Sequence, residues 1–432
     1  MKLTRKKFIL TLILTLILIL ILININVLRG ALKENLSHET KVFIKELFFG
    51  KAYMEEVFFY KSINYNQKKL PQTLYEKIFL KKVPLNNLDI SSSSHYAKIK
   101  KSKIKSKKFF LENLDNENII YASFNGKIGV ISLNNFDEKD PIKSNLNKYQ
   151  VHTLLDIKLI KDHIYVSLSY NDNNKKDCTY FLITYAKMNT KFLNFNEFYK
   201  SNMCLSNTLG GRLINYNHMN VEGLLVSMGA SDKEKELAQN DNSPYGKILF
   251  FDLNTKKYII FSKGHRNPQG LLASKNVILS TEHGPYGGDE INKILFEKNY
   301  GFPIVSIGEP YEFKKITELN RDNYKFKKNH KENYFHEPIF SFAQGIGISE
   351  IIEIPNTFSK YWIDNYFIAS LNGRSLYRIN FNEDFSKINY FEKIYIGERI
   401  RDIKYIPSKN LFLLALEETG SLGILKSPQS IK

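Results

Sequence analysis

One supersecondary unit returns six times along this chain: a short apolar strand ending in small residues, a turn, and a second apolar strand. The copies are NIIYASFNGKIGVISL from Asn118, HIYVSLSY with CTYFLITYAKM from His163, GLLVSMG with GKILFFDL from Gly223, NVILST with EINKILF from Asn276, YFIASLNGRSLYRINF from Tyr366, and LFLLALEETGSLGIL from Leu411. Starts roughly 45 to 60 residues apart, with one wider gap, fit four-stranded units of which this hairpin is the most legible half. Such a unit cannot bury its apolar face alone, and six of them stacked radially make a six-bladed β-propeller. Two β-sandwich domains are the competing arrangement, but they do not require the same hairpin six times. The expected fold class is therefore all-β, with the propeller over residues 110–432. The wide gap between the fourth and fifth copies holds the charged segment Lys314 to Lys331, expected as an insertion or long loop over one mouth of the channel.

The amino terminus follows different rules. Lys2, Arg5, Lys6 and Lys7 precede an almost uninterrupted apolar run from Phe8 to Leu22, the pattern of an export signal or membrane anchor. No Ala-x-Ala-like cleavage site follows, since the next residues are Val27, Leu28, Arg29, Gly30 and Ala31. The run with its flanks reaches about the 20 residues needed to span a bilayer, which favours an uncleaved anchor over residues 1–30 rather than a cleaved signal peptide. The basic cluster stays cytoplasmic, so the rest of the chain is expected on the periplasmic or extracellular side, or secreted if the segment is cleaved. Residues 31–109 read as a helical or extended stalk, with Val42, Phe43, Leu47, Phe48, Met54, Val57 and Phe58 at helix-compatible spacing.

A formal charge of +18 suggests nucleic acid until its distribution is considered. Lysine, asparagine and isoleucine are all abundant, as in a coding sequence biased toward A and T. The one cluster is Lys98, Lys100, Lys101, Lys103, Lys105, Lys107 and Lys108, alternating with Ile99, Ser102, Ile104 and Ser106. In a strand this alternation puts most lysines on one face, and an exported protein meets no nucleic acid, so the run is expected to face solvent or lipid headgroups. The two cysteines, Cys178 and Cys204, are separated by a loop that allows a disulfide in an oxidising compartment. Two separately buried thiols are the alternative.

The densest chemistry lies in GHRNPQGLLASKNVILSTEHGPYGGDEINKILFEKNYGFP, from Gly264 to Pro303. Gly284-Pro285 and Gly287-Gly288 mark a tight irregular loop, with Asp289 and Glu290 directly after it. Backbone carbonyls and carboxylates placed this way suit one hard cation. This string closely resembles the signature of the soluble quinoprotein sugar dehydrogenases, also called the glucose and sorbosone dehydrogenase family, which use pyrroloquinoline quinone (PQQ) and calcium. Weaker matches continue, in the expected order, in GGRLINYNHMNVEGLLVSMG from Gly210, GKILFFDL, PIFSFAQGIGIS from Pro338, and RIRDIKYIPSKNLFLL from Arg399.

The resemblance implies a quinone over the channel. Arg266 and Asn267 match the pair that binds it, and Arg399 and Arg401 match a late arginine pair; arginine's planar donors hold carboxylates bidentately. Gly284 and Pro285 match the loop whose backbone oxygens hold the cofactor's calcium. Glu290 and Tyr300 match ligands of a second, structural Ca²⁺.

The match fails at the reacting residue. Thr208 stands where the family's general-base histidine belongs, and its hydroxyl is no base near neutral pH. Asn372 replaces a family lysine, and Val151, beside Gln150, replaces a glutamine. His152 and His218 are alternative bases only through their proximity to matching strands. Two function classes follow: a PQQ-dependent oxidoreductase acting on an aldose or related polyol with an altered base and an unassigned electron acceptor, or a calcium-containing propeller binding a sugar, glycan or protein.

Overall fold

The structure is a computed structural model describing residues 78–92, 105–171, 178–310 and 326–427. The expected anchor over 1–30, the stalk up to residue 77 and the lysines from 98 to 103 lie outside the described residues. No helix among the described residues is long and apolar enough to cross a membrane.

Six antiparallel sheets form the blades of a propeller. Blade 1 contains Phe109–Asn113, Asn118–Ser123 and Ile128–Ser132, with isolated bridges at Glu138 and Ile142 in place of a regular fourth strand. Blade 2 runs Val151–Ile160, His163–Asn171, Thr179–Lys187 and Asn196–Lys200. Blade 3 runs Leu209–His218, Val221–Gly229, Lys247–Asp252 and Tyr258–Lys263, extended by the parallel pair Lys298–Asn299. Blade 4 is Pro268–Ser274, Val277–Glu282, Asp289–Ile294 and Phe340–Phe342. Blade 5 is Ile348–Glu353, Asn365–Ser370, Ser375–Phe381 and Ile388–Tyr395. Blade 6 takes Ile400–Ile406, Leu411–Leu416 and Ser421–Lys426 from the end of the chain.

The six recurring hairpins are the second and third strands of the six blades. They are legible because they are apolar on both faces: Leu411–Leu416 and Asn365–Ser370 are buried at every position, wedged between neighbouring blades. Outer strands such as Ile388–Tyr395 are half exposed and carry no such run. The core accordingly lies in seams between blades. Phe110, Ile120 and Val130 of blade 1 pack against Leu154, Ile164 and Val166 of blade 2. Trp362 and Phe367 pack against Ile403, Phe412 and Leu425 where blade 5 meets blade 6.

The propeller begins earlier than the expected residue 110. Phe79–Pro84 pairs antiparallel with Ser421–Lys426, Phe79 opposite Lys426 and Pro84 opposite Ser421, so a segment from the start of the described chain supplies the outer strand of blade 6 and closes the ring. Its sequence, FLKKVP, gives no warning because an edge strand needs only one shielded face. Cys178 and Cys204 are joined in the structure, their Cα atoms 5.3 Å apart, tying the start of the third strand of blade 2 to the segment entering blade 3.

The inner strands touch their neighbours in a closed ring and bulge at comparable positions, between 154 and 156, 210 and 213, 268 and 270, 348 and 351, and 400 and 402. At the bulge in blade 3, Gly211 adopts a positive φ of 104°, and a Cβ there would collide with the Leu155 side chain. This close approach sends the next side chain, Arg212, into the hub. Its Nη1 lies 3.1 Å from Asp156, 2.7 Å from Glu350 and 3.2 Å from Asp402, and its Nε donates to the Gln269 carbonyl at 2.9 Å. Asp402 also accepts the Leu111 amide at 2.8 Å, and Asp156 accepts the Leu213 amide at 2.8 Å.

Burial opposes the charge on Arg212, but the three carboxylates outweigh it and raise its pKa above the ordinary value. Removing one partner of such a buried network strands the others. Arg212→Met is expected to lower stability by about 3–5 kcal/mol, read as a shifted urea midpoint with an unchanged slope. A shift under about 1 kcal/mol would mean that the hub does not depend on this cation.

Candidate functional site at the channel mouth

The hub network sets the level of the six inner strands, and the residues just before it form the mouth. Arg212, Asp156, Glu350 and Asp402 meet although each lies only a few residues into its own strand. The entering ends of the inner strands therefore gather at one end of the channel. Those ends carry Lys108, His152, Thr208, Asn267 and Arg399.

Four of the expected site residues come together there. Arg401 Nε donates to Glu417 at 2.8 Å and Arg399 Nε to the other oxygen of the same carboxylate at 2.5 Å, while Arg401 Nη1 reaches Gln269 Oε1 at 3.2 Å. Arg266 forms a two-pronged pair with Asp232, 3.0 and 2.8 Å, and donates to the carbonyls of His283 and Gly284 at 3.2 and 3.0 Å. Asn267 holds the Gly210 amide at 3.0 Å and faces His283 Nδ1 at 3.2 Å.

His283 joins these groups. Burial, then Arg401, Arg266 and Arg399, push its imidazole down to about 3, so the ring is neutral and senses all three arginines. Its Nε2 is buried without a hydrogen-bond partner. A buried ring nitrogen under the electrostatic influence of three guanidinium groups suits an anionic, hydrogen-bonding ligand. The sequence reading missed His283, although it stands inside EHGP between the glutamate and the expected calcium loop.

The remaining expected residues divide. Thr208 is 3 % exposed, and its hydroxyl is engaged with Thr179 Oγ1 at 2.8 Å. His218 is packed against Phe250, Phe261 and Phe296 at 4.8 to 5.3 Å, at the last position of its strand and away from the Thr208 and Arg212 end. His152 is exposed at the mouth, its pKa lowered by partial burial and then by Lys108. Asn372 donates to the Gly345 carbonyl at 3.0 Å. Glu290 and Tyr300 do share a small cavity with Glu282, Ser306, Gly284 and Pro285. Burial, then the charges of Glu282 and Asp289, push Glu290 up to about 8. The Tyr300 hydroxyl, however, donates to the Lys293 carbonyl at 2.5 Å and accepts the Leu295 amide at 3.0 Å. Among the described residues, no group of three or more His, Cys, Asp or Glu is arranged to hold a metal ion.

The family model for glucose/sorbosone dehydrogenases matches residues 107–424, nearly the whole propeller. The chain belongs to the glucose/sorbosone dehydrogenase family. It is 26% identical over 294 residues to the aldose sugar dehydrogenase YliI of Escherichia coli, covering 62% of this chain and 76% of that protein. Its fold is similar to the crystal structure of the soluble aldose sugar dehydrogenase from Escherichia coli in the apo form, with a TM-score of 0.64, 21% identity, and 81% and 99% of the two chains covered. It is also similar to the PQQ-bound aldose sugar dehydrogenase of Streptomyces coelicolor, with a TM-score of 0.55, 17% identity, and 82% and 99% covered.

In this member of the family, the arginine pair depends on Glu417. Burial raises the Glu417 pKa, but Arg401 and Arg399 more than offset it and hold the carboxyl at about 2, against an ordinary 4.5. A folded pKa below the unfolded one contributes stability that is complete above about pH 4.5 and lost as pH falls toward 2. Glu417→Gln is expected to lower stability at pH 7 by about 3 kcal/mol, with the gap to the parent closing between pH 5 and 2. Urea midpoints across that range would read it, and a gap independent of pH would contradict the ionic account.

Proposed function

We propose that this chain is a PQQ-dependent sugar dehydrogenase oxidising an aldose or related polyol, with the mouth of the propeller as its cofactor seat. The observation that carries this reading is the chain of contacts across the mouth: Arg401 reaches Gln269, Gln269 donates to Asn267, Asn267 faces His283, and Arg266 donates to the His283 carbonyl. PQQ is a planar tricarboxylate, and the donor set fits it: guanidinium groups for carboxylates, with Asn267 and His283 for ring substituents. Glu417 and Asp232 anchor the guanidinium groups, so they are oriented before any ligand arrives. The Gly284 and Pro285 carbonyls are proposed as Ca²⁺ ligands beside the cofactor, the Gly284 oxygen exchanging its contact with Arg266 for the ion, and Glu290 with the Tyr300 region as a second Ca²⁺ site.

When bound, the quinone would supply the two-electron acceptor for the sugar's C–H bond. The chain's own groups bind, orient and shield it. The export-side location and membrane attachment are part of the same proposal, resting on the basic and apolar run before residue 30.

A second reading, a calcium-containing propeller that binds a sugar, glycan or protein without turnover, is favoured by Thr208. That residue offers no base, and its hydroxyl is already engaged with Thr179.

The purified full-length chain, mixed with PQQ and Ca²⁺, is expected to change the quinone absorption at micromolar concentration and to reduce a redox dye with at least one aldose. Arg266→Met is expected to weaken quinone uptake roughly 10- to 100-fold, the range for losing hydrogen bonds to a charged group. No spectral change would remove the quinoprotein reading. Uptake without dye reduction across a sugar panel would select the binding propeller.

A further inference from the structure

Among the described residues of the basic run, Lys108 is the one placed at the mouth. The Lys107 amide donates to the Glu417 carbonyl at 2.7 Å, and the Glu417 amide donates to the Arg399 carbonyl at 3.0 Å, so the seam between blades 1 and 6 places Lys108 beside the arginine pair. On its other side, the Lys108 carbonyl accepts the Phe124 amide at 3.0 Å, and the Phe124 carbonyl accepts the Leu154 amide at 2.6 Å, two residues along from His152. Its Nζ lies 5.2 Å from the centre of the Phe110 ring, and the Arg212 guanidinium lies 5.3 Å from the same ring. One aromatic ring thus contacts both the Lys108 amine and the cation of the hub. Among the described residues, Nζ has neither an ion-pair nor a hydrogen-bond partner.

A partly buried amine with no counter-ion, amid arginines that do have theirs, is costly for the fold and needs another reason to be there. The groups facing it are Arg401 and Glu417 from blade 6, Arg212 from blade 3, and Asp156 and His152 from blade 2. We propose that Lys108 is the proton acceptor of this site, a neutral amine taking over the step for which Thr208 offers no base. The proposal rests on the quinoprotein reading above. The substrate's O–H bond breaks and an N–H bond forms on Nζ, giving an ammonium. The electron pair of the adjacent C–H bond would pass as hydride to a quinone held at the mouth, so that an alcohol or lactol would become a carbonyl or lactone.

The electrostatics agree with the geometry. Burial first, then Arg401 and Arg212, push the Lys108 amine down to about 7 against the opposing pull of Glu417 and Asp156. The folded pKa lies below the ordinary lysine value, so the neutral, proton-accepting form prevails above about pH 7 and is lost as pH falls below it.

The test uses the full-length chain and two measurements. Competitive acetylation of lysines followed by peptide mass spectrometry, across pH 5 to 11 and with and without PQQ, reads the reactivity of Lys108 independently of turnover. Lys108 is expected to react with a midpoint near 7, and to keep a midpoint below 9 when the quinone is bound. A midpoint near 10 in the unloaded protein, or one driven above 9 by the quinone, would overturn the proposal; the second result would make Lys108 an anion ligand.

In the loaded protein, Lys108→Met is expected to bind quinone within about 3-fold of the parent while kcat falls 10²- to 10⁴-fold. Lys108→Ala is expected to regain part of that loss with added methylamine. Unchanged turnover in Lys108→Met, or uptake weakened more than 10-fold with turnover of the loaded fraction intact, would also overturn it. If the parent chain takes up no quinone, the quinoprotein reading fails first, and the base role falls with it.

Discussion

The cation at the hub, Arg212, holds the rest of the structure in place. Its guanidinium reaches Asp156, Glu350, Asp402 and the Gln269 carbonyl, and Asp402 in turn holds the Leu111 amide, so one network touches every blade. A buried arginine with several carboxylates is expensive to desolvate and contributes less to stability than its contacts suggest. It does impose register, because each carboxylate is reachable only if its strand enters the hub at the same height. The charge balance is tight enough that Glu350 is pushed up to about 7, burial and the neighbouring Asp402 and Asp156 outweighing Arg212 and Lys404.

That register makes the mouth. Once the inner strands are level, the residues immediately upstream of the hub face one another from different blades, which is how Arg266 on blade 4 and Arg399 and Arg401 on blade 6 come to act on the same imidazole. Arg266 is tied by Asp232, and Arg399 and Arg401 share the two oxygens of Glu417, so the positive groups are oriented despite their mutual repulsion. The exceptions are Lys108, whose amine has no acid of its own, and His283, whose Nε2 has no donor or acceptor. Among the described residues, the fold leaves these two groups without a partner of their own. What it leaves unsatisfied marks the place for a ligand and for proton transfer.

Much of this was legible from residues alone, for a definite reason. Strands buried on both faces, such as Leu411–Leu416, must be apolar throughout, so the second and third strands of each blade stand out in the sequence. Edge strands such as Phe79–Pro84 are bound by backbone pairing and shield only two side chains, Leu80 and Val83, too few to leave a pattern, so the ring closure was hidden. In the site, Arg266, Asn267, Arg399 and Arg401 were found through short motifs in which neighbours in sequence are neighbours in space. His283 and Glu417 act across blades, and their roles follow only from which blades meet. Lys108 was assigned to a solvated run because six other lysines precede it; the change comes at Phe109 and Phe110, where the chain turns into the first inner strand.

The central claim is that, among the described residues, one mouth gathers the groups that hold a planar carboxylated quinone. A crystal structure of the full-length chain grown with PQQ and Ca²⁺ tests it most directly. Density for the quinone in contact with Arg266, Arg399, Arg401 and the Nε2 of His283 is the predicted result. Density on an outer face of the blades, or an empty mouth at saturating quinone, would contradict the account.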